Sequence, residues 1–212
     1  MRHCRALTVA ILTLQAGLPA SGAPPGAEPR TTVPVFHQLV SFSLPAPFTV
    51  AFEKTTNSVY VREHVPAGEN SDEWTRMITL SGVQGLGANP QATLQGYLQA
   101  LARGFQRHCP DTYVALELGP QPIVAQPSFA AIASCGHVGS SGKGRSETSV
   151  MLAIKGNQDF YTLQWTERGP DSSRPLKLDG GYWSSRLARL APVKLCTIVP
   201  GEPPPYASCA GG

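Results

Sequence analysis

The chain has 212 residues, with 17 basic and 14 acidic side chains and a formal net charge of +3. Two of the arginines lie in an N-terminal segment that we expect to be removed, leaving 15 basic against 14 acidic residues. Phosphate recognition depends on clustered lysine and arginine, so this near-neutral balance excludes nucleic acid as a partner.

Residues 1–23 have the three parts of a secretory signal peptide. Arg2 and Arg5 give a basic start, residues 6–18 are mostly apolar, and small residues follow at positions 20–23. The apolar stretch is shorter than the roughly 20 residues that a membrane-spanning helix requires. We therefore expect export to the periplasm or beyond the cell, with no membrane span in the mature chain.

The rest of the chain is long enough for a single domain with a sizeable core. We expect residues 24–44 to be an extended, proline-rich leader and residues 45–198 to form one α+β domain. Residues 199–212 are rich in proline and glycine, and we expect a disulfide to staple this tail to the domain.

The predicted strands occur in groups and do not alternate one by one with helices. Alternating apolar residues predict strands near 48–52, 58–64 and 73–80. A helix is predicted over 90–108, because Asn89 is a good N-cap and Leu94, Leu98, Leu101 and Phe105 share one face. Four more strands are predicted near 112–118, 129–135, 149–154 and 160–165, and a second helix over 182–190. Strands grouped in this way favour an α+β sandwich, an antiparallel sheet with helices packed over it.

Cysteine content also points to an oxidising compartment. Cys109, Cys135, Cys196 and Cys209 remain after cleavage, and an even number in an exported chain favours two disulfides. Three pairings are open, of which we favour Cys109–Cys135 and Cys196–Cys209 because each closes a local loop.

Three short strings carry a resemblance: Glu73–Leu80 (EWTRMITL), Ser134–Gly136 (SCG) and Gln164–Gly169 (QWTERG). With the order of elements over residues 45–195, they resemble uncharacterised exported envelope proteins of bacteria that have a PsbP-like architecture. The resemblance implies an antiparallel sheet flanked by a long helix and a C-terminal helix. It also implies a binding or assembly role and not an enzymatic one.

The glycine-rich stretch 136–145 does not fit two known catalytic motifs. A phosphate-binding P-loop would need glycine where His137 stands and a hydroxyl residue where Gly144 stands. Neither Ser140 nor Ser141 has the flanking glycines of a hydrolase nucleophile elbow. We expect a basic hairpin loop, of the kind that often carries binding contacts.

Other candidate chemical groups have simpler explanations. Glu69, Asp72 and Glu73 lie in a polar loop, where we expect solvated carboxylates and no acid pair for glycoside hydrolysis. The spacing of Cys135, His137, His108 and Cys109 is not that of a metal site, and a disulfide accounts better for the cysteines.

We therefore predict a non-enzymatic binding protein of the bacterial envelope, of an inhibitor, immunity or assembly type. Its partner would be another envelope or secreted protein, with no cofactor and no metal. Alternatives are a small secreted hydrolase that uses Ser140, Ser141 or Cys135 with His137, and a carrier of a small ligand held between the sheet and the long helix. The predicted binding residues are Ser140, Ser141, Lys143, Arg145, Arg174 and Lys177.

Overall fold

The computed structural model of the chain describes residues 29–139 and 144–210. Within these ranges the strands form two antiparallel sheets. The small sheet, in the order β1-β2-β10, consists of Arg30–Val35 (β1), Gln38–Ser43 (β2) and Lys194–Thr197 (β10). The large sheet has the order β3-β4-β5-β9-β8-β7-β6 and consists of Phe48–Thr55 (β3), Val59–Pro66 (β4), Arg76–Val83 (β5), Tyr113–Gly119 (β6), Ser128–Val138 (β7), Arg145–Lys155 (β8) and Phe160–Pro170 (β9).

Helices are few within the described residues. They are Leu94–His108 (α1), Gly180–Ala188 (α2) and Ala207–Ala210 (α3), with a single 3-10 turn at Leu86–Ala88. None of them is both long and apolar enough to cross a bilayer.

The predicted fold class, a PsbP-like α+β sandwich, is wrong. Strands hold 46% of the described residues and helices only 17%, and the strands form two sheets of three and seven strands. The physical reason lies in residues 30–43, which we expected in an extended leader. They form the hairpin β1–β2, which pairs with β10 and supplies a second sheet where the prediction had only helices.

The two faces of the large sheet are covered by different elements. Its inner face packs against the small sheet and α2, through residues such as Ile132, Val150 and Trp165. Its outer face packs against α1, which lies over the small residues Ala131, Ala133 and Ala153. Helix α1 contacts β6, β7 and β8. The other half of the outer face, which consists of β9, β5 and β4, therefore lies to one side of the helix and not beneath it.

Helix α1 begins four residues later than predicted. Thr93 is the N-cap, and its hydroxyl accepts a hydrogen bond from the Gly96 amide at 3.0 Å. Asn89 instead caps a turn by accepting from the Gln91 amide. The predicted apolar stripe does face the sheet, with Leu98 and Ala102 buried.

Candidate binding edge and groove

Strand β6 is an outer strand of the large sheet, paired only with β7. Among the described residues, no backbone hydrogen bond connects the side of residues 113–117 that faces away from β7 to another segment. A β-strand has backbone groups on both sides, so this edge presents amide and carbonyl groups ready to pair with another strand. Leu116 adds an apolar side chain that is 40% exposed.

A groove of about 440 Å³ lies between β6 and α1. Its floor is apolar, with Leu98 and Ala102 from the helix and Phe129 and Ala131 from β7. Its rim is polar, and the rim residues are Gln95, Gln99, Arg103, Gln106 and Glu117. An edge strand beside an apolar groove is the geometry that accepts an extended peptide as an added strand.

Glu117 is the one acidic residue among the described residues that line this groove, and its carboxylate is already engaged. The Glu117 carboxylate accepts hydrogen bonds from the side-chain amides of Gln95 at 2.9 Å and Gln99 at 3.2 Å. Arg103 also lines the groove, and no described carboxylate forms an ion pair with it. The hydrogen bonds to Glu117 come from neutral amides and leave its negative charge in place, so Glu117 and Arg103 give the groove charges of opposite sign.

The structure brings the segment after β9 against the described ends of the glycine-rich stretch 136–145. Arg145 starts β8 opposite Val138 and Pro170, and the Ser172 amide donates to the Gly136 carbonyl at 2.9 Å. Ser140, Ser141 and Lys143 lie outside the described residues.

Arg174 and Lys177 lie in the segment that runs from β9 to α2, and both side chains are exposed. A side chain at Gly136 would clash with the Arg174 carbonyl, and a β-carbon at Gly180 would lie 3.5 Å from Leu116. The segment that carries these two cations therefore passes β6 on the side of the sheet opposite α1.

His137 and Asp171 join the glycine-rich stretch to the segment after β9. The His137 Nδ1 lies 2.6 Å from an Asp171 carboxylate oxygen, and both side chains are nearly half exposed. The His137 amide also donates to the Thr112 hydroxyl at 3.1 Å. A carboxylate on Nδ1 fixes the ring and leaves Nε2 available for proton transfer, as in Ser-His-Asp enzymes.

Both predicted disulfides are present. Cys109 bonds to Cys135 and Cys196 bonds to Cys209, with Cα–Cα distances of 5.7 Å in each pair. The Cys135 sulfur is therefore committed to a bond, which rules out the predicted alternative in which it is a thiolate nucleophile. Two disulfides favour an oxidising compartment outside the cytoplasm.

A second His–Asp pair has a structural role. Asp159 is buried, and it accepts hydrogen bonds from the Gly85 amide at 2.9 Å, from the His37 amide and from the Tyr161 hydroxyl. Burial alone would raise the pKa of Asp159, but these hydrogen bonds outweigh it and lower the pKa. Asp159 thereby ties the β1–β2 turn and the segment after β5 to the β8–β9 hairpin.

The open edge and its groove are features that the sequence prediction missed. A signal was present in α1, where Gln95, Gln99 and Arg103 recur every four residues. This spacing puts them on one stripe beside the apolar face. No pattern in β6 itself distinguishes an edge strand from a central one.

Comparison with known proteins gives no family. No protein-family model and no curated protein matches the chain. One matching solved structure is that of a protein from Bacteroides thetaiotaomicron VPI-5482, with 13% sequence identity and a TM-score of 0.38. The match covers 77% of this chain and 46% of the other.

Proposed function

We propose that this protein is an exported binding protein of the bacterial envelope that captures an extended, acidic segment of another protein along β6. The observation that carries the proposal is the open edge of β6 beside an apolar groove. Backbone pairing to the edge would supply affinity, and the groove would accept alternate side chains of the added strand.

Charge supports an acidic partner. Arg103 lines the groove on the α1 side, and the segment bearing Arg174 and Lys177 passes β6 on the opposite side. Cations flanking a binding edge favour encounter with an acidic segment and disfavour a basic one. The periplasm and the cell exterior are both compatible with this function, because the two disulfides persist in either place.

The test begins with the mature, oxidised protein immobilised to capture partners from envelope extract. Acidic segments of an enriched protein are then synthesised and titrated against purified protein. The diagnostic variant is Ala115→Glu, which fills the groove with an anionic side chain at an exposed position of β6 and repels an acidic peptide. The matched control is Val50→Glu on the opposite edge strand, where the native side chain is 46% exposed.

We expect Ala115→Glu to weaken peptide binding by tenfold or more, which corresponds to about 1.4 kcal/mol, and Val50→Glu to leave it unchanged. Bound peptide should also slow hydrogen exchange at amides of residues 113–117. Equal binding by both variants, or no added protection in β6, would rule out capture along this edge.

One observation favours a second candidate function, a small secreted hydrolase. The His137–Asp171 pair has the geometry of a base and its orienting carboxylate, and Ser140 and Ser141 follow His137 closely in sequence. In this hypothesis one of these serines would be the nucleophile.

A fluorophosphonate probe tests the hydrolase directly, because it labels activated serines. Labelling should disappear in His137→Ala and in the double variant Ser140→Ala/Ser141→Ala. It should persist in His37→Ala, which removes the other His–Asp pair of the described residues. Absence of labelling in the wild-type protein would dismiss this candidate.

A further inference from the structure

A second groove lies beside α1 on the outer face of the large sheet, over β5, β9 and β8. It has a volume of about 340 Å³ and is separate from the groove at β6, which lies on the other side of the helix. One wall is Phe105 of α1, and the opposite wall is Trp74, from the loop between β4 and β5. We call it the polar groove because its floor consists mainly of hydroxyl, amide and carboxylate side chains.

Three polar residues form a row across the floor of the polar groove. Strand pairing places Glu63 of β4 opposite Thr79 of β5, and Thr79 opposite Gln164 of β9. Residues directly opposite in an antiparallel pair have β-carbons about 4.5–5.5 Å apart. The three side chains therefore present oxygen and nitrogen atoms along a line that one small group can span.

These side chains have unused hydrogen-bonding capacity. Among the described residues, no ion pair or hydrogen bond engages the Glu63 carboxylate or the Thr79 hydroxyl. Gln164 uses only its carbonyl oxygen, which accepts from the Ser149 hydroxyl, so its amide nitrogen remains available. A half-buried carboxylate without a partner loses solvation and gains nothing in exchange.

The cation that lines the polar groove, Arg168, does not pair with Glu63. Arg168 is held by the Glu147 carboxylate at 3.2 Å, and its guanidinium stacks on the Trp74 ring at 3.6 Å from the centroid. Burial raises the pKa of Glu63, as expected for a carboxylate with no cation beside it. The loop that carries Trp74 also bears the exposed carboxylates Asp72 and Glu73, which do not line the groove.

We propose that the polar groove binds a ligand bearing an ammonium or guanidinium group beside a hydrogen-bond acceptor. The cation would lie against the Glu63 carboxylate and the Thr79 hydroxyl, and the acceptor would take a hydrogen bond from the Gln164 amide nitrogen. Met77 and Phe105 would contact the apolar part of the ligand. This chemistry is shared by free small amines and by lysine or arginine side chains of a protein, and the proposal is independent of binding at β6.

N-acetyl-lysine amide and N-acetyl-arginine amide are suitable probes, because each combines a cation with amide carbonyls. NMR titration should shift the amide signals of residues 63, 79 and 164 in the native protein. Glu63→Gln removes the charge with little change of shape and should weaken binding by about tenfold. The control is Glu73→Gln, which removes a charge of the same sign from an exposed position that does not line the groove and should change affinity less than twofold.

The two sources of the cation are separated by comparing free probes with peptides that contain the same residue. Saturation by the free probes supports a small-ligand site. Saturation only by lysine- or arginine-containing peptides supports recognition of a protein side chain. The proposal is overturned if neither kind of probe shifts residues 63, 79 and 164, or if Glu63→Gln binds as tightly as the native protein while retaining its thermal stability.

Discussion

The two edge strands of the large sheet differ in how they are protected. Strand β3 has a β-bulge between Val50 and Phe52, followed by the charged residues Glu53 and Lys54. Bulges and charges are common devices that prevent an edge from pairing with another chain. Strand β6 has an uninterrupted run from Tyr113 to Glu117, its bulge falls only at its end, and a groove lies beside it. The β3 edge is therefore protected against strand addition, whereas the β6 edge is open to it.

The largest expected effect comes from removing the disulfide beside β6. Cys135 pairs with Tyr113 in the β7–β6 ladder and bonds to Cys109 at the end of α1. Its loop spans 26 residues, so the double variant Cys109→Ala/Cys135→Ala should lose about 3–4 kcal/mol of unfolding free energy in the chain-entropy model. Urea denaturation measures the loss, and hydrogen exchange should rise in β6 before it rises in β3.

The second disulfide is the matched control. Cys196–Cys209 closes 13 residues at the tail, and its removal should cost about 3 kcal/mol without a selective rise of exchange in β6. If both double variants increase exchange in β6 equally, the first disulfide does not specifically hold the open edge.

The next-largest expected effect is a pH-dependent loss of unfolding free energy that arises beside the protected β3 edge. His64 of β4 pairs with Val50 of β3, is fully buried, and has a pKa of about 4 because burial disfavours its charged form. An unfolded histidine titrates near pH 6.5, so between these values only the unfolded chain binds the proton. Unfolding free energy should therefore fall as pH decreases through this window, by about 3 kcal/mol in total.

His64→Phe should remove this contribution and flatten the profile, whereas His108→Gln, at an exposed position, should leave it intact. Urea denaturation between pH 7 and about 4 measures both. A profile that keeps its slope in His64→Phe would assign the acid sensitivity to another group.

The smallest expected effects come from removing one carboxylate at each edge of the large sheet. Glu117→Ala removes the acceptor for Gln95 and Gln99, and Glu53→Ala removes the acceptor for the Tyr60 hydroxyl. Each should cost less than about 1 kcal/mol, because both carboxylates are exposed. Glu117→Ala should strengthen binding of an acidic peptide at β6 while Glu53→Ala should not, which calorimetric titration can measure.

Much of the large sheet was predictable from local signals. All seven of its strands overlap predicted strands, because their apolar residues alternate or cluster between turn residues. Both disulfides were predicted because short loops close at low entropic cost. The small sheet was missed because β10 has only four residues and β2 mixes three polar residues into a fully buried strand. Those polar groups, including Ser41 and Ser43, are hydrogen-bonded in place.

The candidate sites were less predictable than the strands. Arg174 and Lys177 could be singled out by charge, but their position beside β6 depends on contacts across the sheet. The row of Glu63, Thr79 and Gln164 comes from three strands that are far apart in sequence. Edge status and cross-strand neighbours follow from strand order, which no local pattern encodes.

The strand order also has a consequence for how the chain folds. Strands β3–β5 form one meander and strands β6–β9 form another. Within the large sheet the two meanders join along the β5–β9 ladder, which runs from the pair of Arg76 and Glu167 to the pair of Val83 and Phe160. Contacts between residues so distant in sequence form late, because a long loop must close first. A chain that emerges from its N-terminus would therefore present β5 as a temporary edge until β9 is available, and a chaperone would be most useful during this interval.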